Sequence, residues 1–207
     1  GDEMNMHCCQ SLKAAAELEH LAAVPHHIIS PSTNTPIISS NQDNVVGLFK
    51  LTDDETLLTQ IEALQLLSGT DSFDGILPEP VFQEGKRVLW SGKQIYSIVL
   101  PNITLLLGDI VIKNGELIKG QVNKGISNRI IHIIHNEYGS NIAERYMNDL
   151  QCLATRFLIK TGFSVGVSDL ILHEDIAKMK GDVIDEYKRS ENELYKKIHL
   201  NILENIT

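Results

Sequence analysis

Cysteine is scarce in this 207-residue chain, and the three present form no pattern. Cys8 and Cys9 are adjacent, Cys152 stands alone, and no Cys-x-x-Cys spacing occurs. An odd number without ligand spacing argues against a disulfide framework and a cysteine-based zinc site, and it fits a reducing compartment. Basic charge is also short. Eighteen Lys and Arg face 27 Asp and Glu, for a net charge of −9. A protein that grips DNA by itself through phosphates is normally basic. The balance argues against an independent DNA grip but allows an acidic piece of a larger basic machine, because charge is distributed over a whole assembly. Long hydrophobic runs are missing too. The longest candidate, residues 95–112, is broken by Pro101, Asn102, Gly108 and Asp109, well short of the roughly 20 apolar residues of a membrane span. The first residues are acidic and polar, so no signal peptide is expected. There is no internal repeat and no low-complexity tract.

The chain does have the means to build a core. Hydrophobic residues make up 43% and charged residues 22%, the proportions of an ordinary globular protein of one domain or two small ones. Ser11, three alanines and Leu18 and Leu21 predict a helix over residues 10–23, stopped by Pro25. Residues 28–43 hold Pro31 and Pro36 among Ser, Thr and Asn, and are expected to be extended and turn-rich. A short helix is expected over 44–51. Thr52 then reads as the cap of a better one, with Asp53, Asp54 and Glu55 in its first turn and Leu57, Leu58, Ile61, Leu64 and Leu67 on its apolar face, ending at Gly69. Residues 71–94 read as loop, and 96–100 as β-type. Asn114-Gly115 between residues 109–113 and 116–120 is a hairpin signal. Helices follow over 128–138, with Ile130, Ile131, Ile133 and Ile134 buried, and over 141–160, ended by Gly139 and Gly162. Residues 163–169 read as an extended connector. Residues 174–206 read as one long charged helix, interrupted near Gly181, whose few apolar residues (Ile176, Met179, Val183, Ile184) would lean on a partner. The class is α+β: a mixed domain with a β-hairpin and several helices, then a long C-terminal helix.

Few residues carry chemistry. Asp2 and Glu3 are the one acidic pair at a plausible turn. Carboxylates suit magnesium, a hard ion that takes oxygen ligands, but a single carboxylate does not make a site. His26-His27 and His132-x-x-His135 have spacings that can hold metal on a helix face, but no nearby Cys or acid completes a set. Trp90 reads as a packed core aromatic, Lys93 as a surface charge, and Asp169 as either a helix cap or a functional acid.

Gly1-Asp2-Glu3-Met4-Asn5-Met6-His7, followed by Gln10-Ser11, resembles the end of the metal-binding loop in the largest subunit of multi-subunit DNA-dependent RNA polymerases. Three further blocks resemble the same family in the same order: Ser30-Pro31-x-x-Asn34-x-Pro36 with Gln42-Asp43, then Trp90-Ser91-Gly92-Lys93-Gln94, then Gly162-Phe163-Ser164-Val165-Gly166-Val167-x-Asp169. Glu3 and the Trp90 block resemble the eukaryotic, archaeal or large-DNA-virus branch. Cys8-Cys9 stand where the family usually has Val-Pro, and Ser168 replaces a usual glycine.

The resemblance implies three parts: residues 1–43 as the trailing end of the active-site domain, 44–165 as a pore domain, and 166–207 as the start of funnel helices. It implies that Asp2 is one of three aspartates holding a catalytic Mg2+, the other two preceding Gly1, so that the 207 residues alone would be inactive. The implied reaction is template-directed RNA synthesis, with this region lining the channel for nucleoside triphosphate entry and backtracked RNA. Implied partners are the other polymerase subunits, especially the second-largest, with DNA template, RNA and nucleoside triphosphates in the complete enzyme and a transcript-cleavage factor at the funnel, but no membrane. The setting would be a nucleus, or the cytoplasm or virion for a viral enzyme. The alternatives are a non-catalytic α+β scaffold or interaction module, and an inactive polymerase homologue.

Overall fold

Ser11 opens the first helix as its sequence predicts. Its Oγ accepts the Ala14 N–H at 3.1 Å, capping α1 (Leu12–Glu17). The helix then loosens into a π-helical turn, Leu18–Ala22, and Pro25 starts a separate 3-10 turn, Val24–His27. The computed structural model describes residues 3–85, 87–171, 173–189 and 197–198. It divides into two units, Gly1–Gly162 and Phe163–Thr207.

In the first unit, residues 28–42 form an irregular loop pinned by one antiparallel bridge between Ile29 and Pro36. Helix α2 (Asp43–Leu51) follows. Thr52 is not the cap of the next helix. It ends α2, donating its hydroxyl to Leu48 O at 2.8 Å and accepting the Val122 N–H at 2.9 Å. Leu57 and Leu58, expected on a helix face, lie in a strand, β1 (Leu57–Thr59). Helix α3 (Gln60–Leu67) starts after Thr59, whose Oγ1 accepts the Glu62 N–H at 3.4 Å while the Glu62 carboxylate accepts the Thr59 N–H at 2.8 Å. This reciprocal box satisfies two of the amide groups every helix start leaves orphaned.

The stretch read as loop contains a hairpin, β2 (Phe82–Glu84) and β3 (Arg87–Ser91), and β1 adds to it in the antiparallel order β1-β3-β2. Residues 96–100, read as β-type, belong mostly to helix α4 (Gly92–Val99). The second sheet, β4 (Leu105–Leu107), β5 (Ile110–Lys113) and β6 (Glu116–Lys119), is antiparallel in sequence order. Its β5–β6 turn is the expected Asn114-Gly115, at φ +50° and +80°. That left-handed pair matches the twist of the flanking strands.

Helices α5 (Lys124–Tyr138) and α6 (Ser140–Thr161) meet at Gly139, φ +85°. Helix α6 is the central rod, packing against α2, α3, α4 and α5. Its Ala143, Tyr146, Leu150, Leu153 and Ala154 are buried, as are Leu48, Leu51, Tyr96, Ile130 and Ile134 facing the same core. Ile133, expected in the core, is half-buried.

The second unit begins with an extended segment and a 3-10 turn, Val167–Leu170, where Asp169 Oδ2 accepts the Gly166 N–H at 2.7 Å. Helix α7 (Glu174–Arg189) runs through Gly181 without interruption and buries no described residue. The rest of the helix expected over 174–206 lies outside the described residues, apart from 197–198. No helix among the described residues is long and apolar enough to cross a membrane.

Candidate functional site

Asp2 lies outside the described residues. The segment that follows it, residues 3–10, has no regular structure and is exposed throughout, with Met4 at 93% and Met6 at 98% exposure. Among the described residues no group of three His, Cys, Asp or Glu side chains converges on a metal-sized space. Two histidines are taken up by hydrogen bonds. His27 Nε2 lies 2.8 Å from Leu21 O. His132 bridges Asn34 Oδ1 and Asn136 Nδ2, both at 3.2 Å. His135 has its Nδ1 buried without a partner.

The block Trp90-Ser91-Gly92-Lys93-Gln94 is where the described structure concentrates its polar contacts. It joins the end of β3 to the start of α4. Ser91 Oγ accepts the Gln94 N–H at 3.2 Å and Gln94 Oε1 accepts the Ser91 N–H at 3.1 Å, so the motif is itself a capping box, Ser-x-x-Gln. Each flanking residue ties the box to another segment. Trp90 Nε1 donates to Pro78 O at 2.7 Å, and Gln94 Nε2 donates to Glu79 O at 2.8 Å. The Gly92 N–H donates to Thr56 O at 3.0 Å, and a Cβ on Gly92 would overlap the Leu51 carbonyl oxygen. One helix turn on, Ser97 Oγ donates to Lys93 O at 2.7 Å and accepts the Leu117 N–H of β6 at 2.9 Å.

Lys93 corrects a sequence expectation. It is only 8% exposed, and its ammonium pairs with Asp54 on the turn before β1. Its side chain is almost wholly buried, and its ammonium meets a carboxylate that is itself exposed. The Asp54 partner was missed because nothing in sequence links residues 39 positions apart. An open cleft of about 350 Å³ lies beside this junction, lined in part by Pro78, Ser91, Gln94 and Glu116.

Three other polar contacts hold the frame. Asp149 is buried on α6 and accepts the Asp71 and Ser72 N–H groups at 2.7 and 3.0 Å, anchoring the loop after α3. Tyr96 and Tyr146 share a buried hydroxyl contact of 2.7 Å. Burial pushes both phenols well above their ordinary range, and the shared contact sets the two against each other. Glu62 meets Lys160 at 2.6 Å. The Lys160 ammonium, then the Thr59 N–H, hold the Glu62 carboxyl down at about 2. The side chains of the Trp90 block are thus committed to joining segments.

A family model described as RNA polymerase Rpb1, domain 3, matches residues 27–170. The chain belongs to this family. The match takes in the whole of the Ser30, Trp90 and Gly162 blocks. The curated relatives DNA-directed RNA polymerase II subunit RPB1-A and subunit RPB1-B, both of Trypanosoma brucei brucei, are each 33% identical over 206 residues, covering 92% of this chain. The chain spans 12% of the length of each of these relatives. The resemblance to the polymerase largest subunit and the α+β class are both borne out. In this Rpb1 domain the Ser-x-x-Gln box explains in physical terms why the Trp90 block has its composition: Ser and Gln close the helix start, Gly admits the Leu51 carbonyl, and Trp and Lys bury large stems beside it.

Proposed function

We propose that the chain serves as part of the catalytic subunit of a DNA-directed RNA polymerase, with Asp2 as one of its magnesium ligands. The observation that carries the reading is the family match together with the run Asp2-Glu3-Met4-Asn5-Met6-His7. The chemistry of the donor fits, because a carboxylate offers the hard oxygen that magnesium prefers. One carboxylate is not enough, and on this reading two further aspartates of the complete subunit share the ion. When bound, the metal stabilises the charge developing on the phosphates and activates the attacking hydroxyl oxygen. The reaction is in-line attack of the RNA 3′-hydroxyl on the α-phosphate of a nucleoside triphosphate, with pyrophosphate leaving. Without the other aspartates the 207 residues are inactive.

On this reading residues 1–43 trail the active-site domain, 44–165 form the pore wall beside the channel for entering triphosphates and backtracked RNA, and 166–207 begin the funnel. The break between units after Gly162 supports treating the last part separately. Apolar side chains left open on the first unit, among them Met4, Met6, Leu12, Leu21 and Ile159, suit a piece covered by the rest of a large subunit and by the second-largest subunit better than a free-standing scaffold. Helix α7, with no buried described residue, suits a surface that a further helix or a transcript-cleavage factor covers. DNA template and RNA are partners of the complete enzyme. Relatives named as polymerase II subunits support a nuclear setting over a viral one.

The test is RNA extension by the complete polymerase carrying this sequence. Asp2→Ala is expected to lower extension at least about a thousandfold, as loss of a metal ligand does, with subunit assembly unchanged. Retained extension removes Asp2 from the site. An unmutated enzyme that assembles but never extends RNA is the inactive homologue instead.

A further inference from the structure

The stretch from Leu51 to Gly85 holds eight carboxylates, four Asp and four Glu, and no Lys, Arg or His. The same stretch leaves an apolar ridge in the open. Leu57, Ile61 and Leu64 are 47%, 70% and 37% exposed. Ile61 and Leu64 lie three residues apart on α3 and so share a face, and Leu57 precedes them on β1. Leu58, Ala63, Leu66 and Leu67 already fill the core, so the ridge is apolar surface that the first unit does not use for its own packing.

Beside Leu57 opens a cleft of about 370 Å³. Leu58 and Phe157 give it an apolar lining. Lysines and carboxylates both line it as well, but the lysines are engaged. Lys160 pairs with Glu62 at 2.6 Å, and Lys50 Nζ donates to Gly162 O at 3.0 Å. Asp53 and Glu55, also in the lining, form no ion pair with a described residue. The charge the cleft presents to a ligand is therefore negative.

These features select the occupant. Strand β1 is at the edge of its sheet, but it is three residues long and its Thr59 N–H is already given to Glu62. An added strand would find little backbone left to pair with. A ridge at helical spacing suits a helix laid along it, whose own apolar residues recur at i, i+3, i+4 and i+7. A second copy of this chain brings the same carboxylates and is repelled. A helix with Lys or Arg beside its apolar face is attracted instead, and like charge rejects acidic partners.

We propose that the Leu57–Ile61–Leu64 ridge and the adjoining cleft dock a basic amphipathic helix of a separate partner protein. One large apolar side chain of that helix enters the cleft against Leu58 and Phe157, and its Lys or Arg residues meet Asp53 and Glu55. The surface makes no use of Asp2 and does not depend on the polymerase being active.

Two fluorescent helical peptides test this by anisotropy on the 207-residue chain. Both carry leucine at i, i+3, i+4 and i+7; one has lysine elsewhere and the other glutamate. The lysine peptide is expected to bind saturably and the glutamate peptide not to bind. Ile61→Gln and Glu55→Lys, both at exposed positions, should each weaken the lysine peptide at least about fivefold. Glu137→Lys, exposed on α5, makes the same change of net charge outside this surface and should leave binding within about twofold. In the complete polymerase, Gln65→Cys on α3 should react with a maleimide, and the lysine peptide should protect it. The proposal is overturned if the lysine peptide does not bind, if the glutamate peptide binds as well, or if Glu137→Lys weakens binding as much as Glu55→Lys. It is overturned equally if the rest of the polymerase shields Gln65→Cys from the maleimide, or if the chain sediments as a dimer that Ile61→Gln abolishes.

Discussion

Tyr96 of α4 and Tyr146 of α6 meet hydroxyl to hydroxyl, 2.7 Å apart, with both side chains buried. The pair is the polar pin between the helix that the Trp90 block starts and the central rod. One hydroxyl donates and the other accepts, so removing either leaves its partner unsatisfied in the core. Tyr96→Phe or Tyr146→Phe should each cost about 1–3 kcal/mol, while the double variant should cost less than the sum, because it strands no polar group. Urea denaturation of the four proteins measures this directly. Additive losses would mean that the hydroxyls act independently.

Gly92 carries the closest backbone approach in the Trp90 block. A methyl group there would overlap the Leu51 carbonyl oxygen, which is backbone and cannot swing aside. Gly92→Ala should therefore destabilise the first unit by about 3 kcal/mol, the upper range for overpacking. Gly75, whose neighbourhood is open, is the control for handling, although its φ of +92° adds a smaller backbone penalty. Equal melting temperatures for the Gly92→Ala and wild-type chains would contradict the packing described.

The Glu62–Lys160 pair makes a pH prediction. The folded carboxyl sits at about 2 against an ordinary 4.5. A depressed acid stabilises the fold above its unfolded value and loses that contribution as protons bind the folded form. The contribution is whole above about pH 4.5 and fades between there and about 2. Both side chains touch solvent, so the pair is worth about 1 kcal/mol at most. Glu62→Gln keeps the acceptor that caps α3 and removes the charge. Its stability should trail the wild type by that amount at pH 7 and converge with it toward pH 2, as followed by urea midpoints.

The same residues show what the sequence discloses and what it hides. Thr52-Asp53-Asp54-Glu55 and Thr59-Gln60-Ile61-Glu62 both have the Thr-x-x-Glu form of a capping box. The first has the more acidic first turn and looks the better start. The structure uses the second, because the Thr52 hydroxyl is taken by Leu48 O and the Val122 N–H, a partner 70 positions away. Residues 96–100 look β-type because Ile, Val and Tyr favour strands. The Ser91–Gln94 box, one turn earlier, makes them helical. The Asn114-Gly115 turn and the glycine ends of α5 and α6 were legible because their signals are local. The polymerase family was legible from short blocks in order. The Lys93–Asp54 pair and the cleft lined by Leu58 and Phe157 were not, since each depends on segments that only the fold brings together.

The most direct test of the central claim asks whether Asp2 touches the catalytic metal. Ferrous iron replaces magnesium in the complete polymerase, and hydroxyl radicals made at the bound iron cut the chain beside it. The account predicts cuts clustered around residues 2–7 that magnesium competes away and Asp2→Ala abolishes. Cuts at other positions only, or a pattern that Asp2→Ala leaves unchanged, would contradict it.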